Sequence, residues 1–86
     1  MIDSPTRPEI DVPASFTGVI ALWPKPKFDT LAADIGESVA KVGMWSSRDS
    51  IPAEYWQVIM RAAKRRGFHV VDADLLVRLA AERRAA

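Results

Sequence analysis

The sequence predicts an all-α fold, a compact bundle of about five short helices. Three observations predict it. Apolar residues recur at i, i+3, i+4 and i+7 in successive segments, the spacing of one helix face. Helix stops and starts separate those segments: Pro24 and Pro26, Gly36 with Ser38, Pro52, and Gly67 with Asp72. The stretch that alternates, Phe68-His69-Val70-Val71, reads as a connector rather than a strand because it is so short.

Size and composition bound the rest. With 86 residues, 49% of them apolar, the chain can bury one modest core and forms one domain. No apolar run approaches the roughly 18 residues a membrane helix needs. Met1-Ile2-Asp3-Ser4-Pro5 lacks a basic-then-apolar leader pattern, so a cytoplasmic location is expected. Without cysteine there is neither a disulfide nor a thiolate zinc site. The net charge of +1 conceals an uneven distribution, since Asp3, Glu9 and Asp11 face only Arg7 near the N-terminus. The remainder is more basic, and richest at Arg61, Lys64, Arg65 and Arg66, a cluster that suits a polyanion or a solvated helix end.

Residues 1–14, with Pro5, Pro8 and Pro13, read as a flexible N-terminal arm, and residues 15–82 as the folded domain. Ser15 is a plausible N-cap for a first helix carrying Phe16, Val19, Ile20 and Trp23 on one face. Gly18 weakens that helix by roughly 1 kcal/mol relative to alanine, so packing must hold it. Pro24 and Pro26 end it, leaving the linker Pro24-Lys25-Pro26-Lys27. Phe28, Leu31, Ala32 and Ile35 form the face of a second helix, and Gly36 supplies its left-handed stop. Ser38 caps a third helix whose buried side is Val42 and Trp45, and Arg48-Asp49-Ser50 form the next loop.

Pro52 suits the first turn of a fourth helix with Tyr55, Trp56, Ile59, Met60 and Ala63 inward, closed by Gly67. Asp72 caps a fifth helix with Leu75, Leu76, Leu79 and Ala80 on its core face, and residues 83–86 are expected to fray. Trp23, Trp45 and Trp56, on three different helices, are read as the aromatic centre of the core. Catalysis is not expected. His69 stands alone, no Gly-rich phosphate loop or His-x-x-x-His pair occurs, and Asp72 and Asp74 are explained by the helix dipole. No cofactor, metal or small-molecule substrate is therefore expected.

The second and third helices, joined across Gly36, constitute a helix-turn-helix, whose second helix can enter a DNA major groove. The order Leu31-Ala32-Ala33-Asp34-Ile35-Gly36, then Ser38, Val42 and Trp45, resembles the helix-turn-helix of phage repressors of the Cro/CI-like family. Ala32 stands where that family has the small alanine that lets the two helices cross closely. Arg48-Asp49-Ser50-Ile51-Pro52-Ala53-Glu54-Tyr55-Trp56 resembles the segment after the recognition helix, where an Ile-Pro pair opens the next helix. The resemblance spans roughly residues 15–82. The chain departs from it at Glu37, where the family usually has an apolar residue.

The resemblance implies a sequence-specific DNA-binding regulator, expected to be a repressor acting as a dimer on paired half-sites. On the helical wheel Ser38, Val42 and Trp45 fall inward, and Ala40, Gly43, Met44 and Ser47 outward. The candidate base-facing set is those outward residues together with Ser38 and Val39 at the start of the helix. Lys25, Lys27, Lys41, Ser46 and Arg48 are the candidate phosphate contacts, with the Ser50 hydroxyl beside them. The usual base readers, arginine for guanine and asparagine or glutamine for adenine, are missing from the centre of this face. Small residues would instead allow close approach, with Ala40 and Met44 against thymine methyl groups. The same bland face admits a rival, a module that docks another protein, and a third reading, a purely structural helical bundle with no groove-binding role. The expected partners are double-stranded DNA and a second subunit, identical or related, paired through Val77 and Leu79 of helix five or through the arm.

Overall fold

Ser15 opens the first helix by accepting a hydrogen bond from the Gly18 N–H at 3.0 Å, and α1 spans Phe16–Ile20. The computed structural model describes residues 12–85, so most of the expected N-terminal arm lies outside the described residues. The helix is shorter than its apolar spacing predicts. Beyond Ile20 the Leu22 and Trp23 N–H groups donate to the Val19 and Ile20 carbonyls at 3.1 and 3.2 Å. These i→i+3 bonds tighten the chain ahead of Pro24. They still deliver Trp23 to the core, where it is buried.

α2 spans Lys27–Ile35 and ends at Gly36, whose φ of 75° is the left-handed value that favours glycine. The N–H groups of Gly36 and Glu37 both donate to the Ala32 carbonyl at 2.9 Å and close the helix end. α3 spans Val39–Arg48, with the Ser38 hydroxyl accepting from the Lys41 N–H at 3.1 Å. Arg48 is thus the last residue of α3 rather than part of the following loop.

Pro52 has φ −58° and ψ 140°, an extended conformation, so it leads into a 3₁₀ turn at Ala53–Tyr55 instead of starting an α-helix. α4 follows at Trp56–Arg65 and is closed at Gly67, φ 85°. The expected connector at 68–71 is irregular chain, and no strand occurs among the described residues. The Asp72 carboxylate accepts from the Leu75 N–H at 2.9 Å and caps α5, Ala73–Ala85. α5 includes Arg83, Arg84 and Ala85 of the stretch in which fraying is expected.

α2 packs on α3 and α4, α1 packs on α2 and α3, and α4 carries α5. The bundle is all-α, with the tight α2–α3 pair at its centre. Val19, Ile20, Leu31, Val42, Ile59 and Leu76 are its most deeply buried large side chains. Ala62 joins Ala63 in the core, a position the apolar stripe of α4 does not include. The tryptophans do not form one aromatic centre. Trp23 meets Phe68 edge-on at 5.2 Å, Trp45 tilts against Tyr55 at 4.8 Å, and half-buried Trp56 stacks on Phe16 at 6.2 Å. Each indole ties a different pair of segments, and the Trp56 N–H finds the Ile51 carbonyl at 2.8 Å.

A polar junction binds the far side of the bundle. Asp34, on α2, accepts the Trp23 indole N–H at 2.8 Å and N–H donors from Nε and Nη2 of the Arg66 guanidinium. Arg65 donates to the Asp34 carbonyl at 3.2 Å. Two of the four residues in the basic cluster are therefore engaged in holding α4 against α2. The Arg66 hydrogen bonds, helped by that of Trp23, hold the Asp34 carboxyl below the ordinary value of 3.8 against partial desolvation.

Two outcomes are expected. Trp45→Ala should destabilise the domain by about 3–5 kcal/mol, a large share of its reserve, which thermal or denaturant melts would register. A shift of one or two degrees would contradict the burial of this side chain. For Asp34, the folded value is depressed, so its contribution is complete above the ordinary carboxylate value and fades as pH falls through the lower folded value. The gap in melting temperature between wild type and Asp34→Asn should accordingly be widest above about pH 4 and close in stronger acid. A gap independent of pH would remove the ion pair from the account.

Candidate nucleic-acid interface

α3 is positioned by its inner face and by both ends. Val42 and Trp45, three residues apart, are buried and fix its rotation. The Gly36 turn and the Ser38 cap set where it begins. Its far end is held by an arrangement whose partners no local sequence signal announces. Asp49 takes φ 53°, ψ 47°, the left-handed region that Asp tolerates better than most residues. From there its carboxylate accepts the Thr17 N–H at 2.9 Å and the Thr17 hydroxyl at 3.1 Å. The Thr17 hydroxyl also lies 2.8 Å from the Ser46 carbonyl, to which it can donate instead. On the other side, Arg83 of α5 donates to the Arg48 and Asp49 carbonyls at 2.7 and 2.8 Å. Thus α1 and α5 grip the last turn of α3. The one signal in the sequence was an aspartate after a helix; nothing local named its partners.

With α3 held this way, Val39, Ala40, Met44 and Ser47 are exposed along one side, Val39 by 43% and Met44 by 41%. Ser38 is exposed as well, which corrects its inward position on the wheel; as an N-cap it precedes the helical turn and does not follow the helical phase. Gly43 does not share the exposure. It is half-buried, and a Cβ there would lie 3.6 Å from the Phe28 ring, an ordinary van der Waals distance. Its outward position is corrected accordingly: Gly43 borders α2 at the edge of the exposed face.

The candidate phosphate residues divide into engaged and exposed groups. Lys41 forms a 2.9 Å ion pair with Glu37 and donates to the Tyr55 hydroxyl at 2.9 Å, its ammonium 5.1 Å from the Tyr55 ring centroid. The Tyr55 hydrogen bond first, and Glu37 second, raise its pKa and keep it charged. A phosphate approaching Lys41 would meet the Glu37 carboxylate. Lys27 rests 5.6 Å from the centroid of the Phe28 ring, and Lys25 is exposed beside it. Arg48 is exposed at the end of α3, whereas Ser46 is half-buried against the Thr17 contact.

For pairing with a second subunit, Leu79 is withdrawn, being 3% exposed in this chain's own core, while Val77 stands 57% exposed. Among the described residues no group of histidine, aspartate and glutamate converges as a metal ion would require, and no helix is long and apolar enough to cross a membrane. No family model matches the chain, and neither a curated protein nor a solved structure matches it significantly.

The grip on α3 can be tested at Asp49. Asp49→Ala loses the Thr17 bonds and places a less tolerant residue at positive φ, and should cost about 1–3 kcal/mol in a melt. Asp49→Asn keeps a carbonyl acceptor and the tolerance, and should recover most of that loss. Equal losses in the two variants would deny the hydrogen bonds their role.

Proposed function

We propose that the protein binds double-stranded DNA through α3, as a sequence-specific regulator acting in the cytoplasm. The observation that carries this reading is the outer face of α3. A helix that follows a tight turn, is anchored at both ends, and presents small or apolar side chains and a serine along Val39, Ala40, Met44 and Ser47 has a surface suited to burial. The helix, about 10–12 Å across, matches the roughly 12 Å width of the major groove. Val39, Ala40 and Met44 would lie against thymine methyl groups, and Ser38 and Ser47 would meet polar base edges. Lys25, Lys27 and Arg48 would take phosphates, which fixes register and adds affinity without reading sequence.

A lone recognition helix reads few base pairs, so the reading includes a dimer on paired half-sites and the action of a repressor. Exposed Val77 on α5 is the residue through which a second copy or a related subunit would pack. Catalysis has no part in this proposal. A second reading has its own observation: Val39 and Met44 are exposed large apolar residues in a face without arginine, asparagine or glutamine, as a protein-docking module would have.

A binding titration at four salt concentrations, on selected and random duplexes, separates the two. About three phosphate contacts per subunit, at Lys25, Lys27 and Arg48, should give a slope of log affinity against log salt of roughly −3, doubled for a dimer. Ala40→Glu, at a solvent-facing position, should abolish duplex binding and leave the melt nearly unchanged. Absence of binding to any duplex at low salt, or a flat salt response, would favour the docking module. Undiminished binding by Ala40→Glu would show that another surface reads the DNA.

A further inference from the structure

Arg83 and Arg84 belong to the stretch expected to fray, yet the fold carries them to the end of α3. The Arg83 guanidinium lies on the Arg48 and Asp49 carbonyls. Arg83 and Arg84 together line an open recess of about 240 Å³ with Ser50, over a floor of Phe16, Ile51 and Ala80. Arg83 and Arg84 of α5 thus meet the end of α3 where its last residue, exposed Arg48, follows Ser47 of the exposed face. Two carboxylates lie near it in sequence, Asp49 and Glu82. Asp49 accepts from Thr17, and Glu82 precedes Arg84 by two residues, about 200° around α5.

From this juxtaposition we propose that Arg84 and Arg48, with the Ser50 hydroxyl, form a phosphate-contact site for the DNA backbone at the C-terminal end of α3. The proposal rests on the DNA reading above and adds a contact from α5. Its geometry follows from length. The ten residues of α3 extend about 15 Å, more than the roughly 12 Å groove width, so a helix lying across the groove brings its end to a phosphate ridge. Its electrostatics follow from Arg83. A helix C-terminus carries about half a negative charge and repels an anion. Here the last carbonyls already accept from Arg83, which offsets that field and leaves Arg48 and Arg84 to face the phosphate. Arg83 is a positioning residue in this scheme, and Arg84 is the ligand.

The experiment compares wild type, Arg84→Ala and Arg78→Ala, the last removing an exposed arginine of the same α5 helix about two turns away. Each is titrated with one selected and one random duplex at four salt concentrations, and each is melted. Arg84→Ala should lessen the salt slope by about one per subunit, weaken both duplexes by the same factor, and leave the melt unchanged. Arg78→Ala should leave the slope within error of wild type. Equal slopes for wild type and Arg84→Ala, or equal reductions in the two variants, would overturn the site while the DNA reading stands. Wild type that binds neither duplex at low salt would overturn that reading, and this site with it.

Discussion

Trp45 is 3% exposed beneath α3, its ring tilted against Tyr55, with Val42 one turn before it. A domain of this size has few side chains with as much apolar surface, and turning α3 would expose two of its anchors at once. The rotation of the helix, and hence the identity of the residues it shows to solvent, depends on this burial. Burial of two side chains leaves a helix free to tilt about them, however. Gly36 fixes one end through its left-handed backbone and Ser38 through its hydroxyl cap, and Thr17 with Arg83 fixes the other through hydrogen bonds to the final turn. Reading or docking by this helix would gain from that rigidity, because less motion is lost when a partner binds.

The charged residues divide along the same lines. Asp34 gathers Trp23, Arg65 and Arg66 and joins the ends of three segments, so part of the apparent basic patch on α4 is structural. Lys41 is likewise committed to Glu37 and Tyr55. A count of positive residues along the sequence therefore overstates what is available to a polyanion on those elements. For the proposed DNA complex this means that long-range attraction and close phosphate contact come from different residues. All the cations contribute to the first, and only those presented beside α3 to the second.

The exposed face of α3 is unusual for a surface helix in carrying no full charge along Val39, Ala40, Met44 and Ser47. Leaving Val39 and Met44 in water forfeits the stabilisation that burying them would bring. Readout by apolar contact would discriminate through the thymine methyl group and shape rather than through paired hydrogen bonds. In the rival reading the same side chains would be the apolar anchors of a protein interface.

Local chemistry was enough to mark the helices. The caps at Ser15, Ser38 and Asp72, the glycine stops at 36 and 67, and the periodic core residues of α2, α3 and α5 all act within a turn or two of themselves. Because those effects depend on neighbours in sequence, the all-α class and the α2–α3 turn were legible before any coordinates. Tertiary structure alone decided what lay across the bundle. It drew Trp23, Asp34 and Arg66 together, turned Gly43 toward Phe28, withdrew Leu79, and carried Arg83 to the carbonyls of Arg48 and Asp49. Each of these depends on the distance between residues far apart in the chain. Helical periodicity sets which side of its own axis a residue occupies, and it holds no information about which other helix that side will meet.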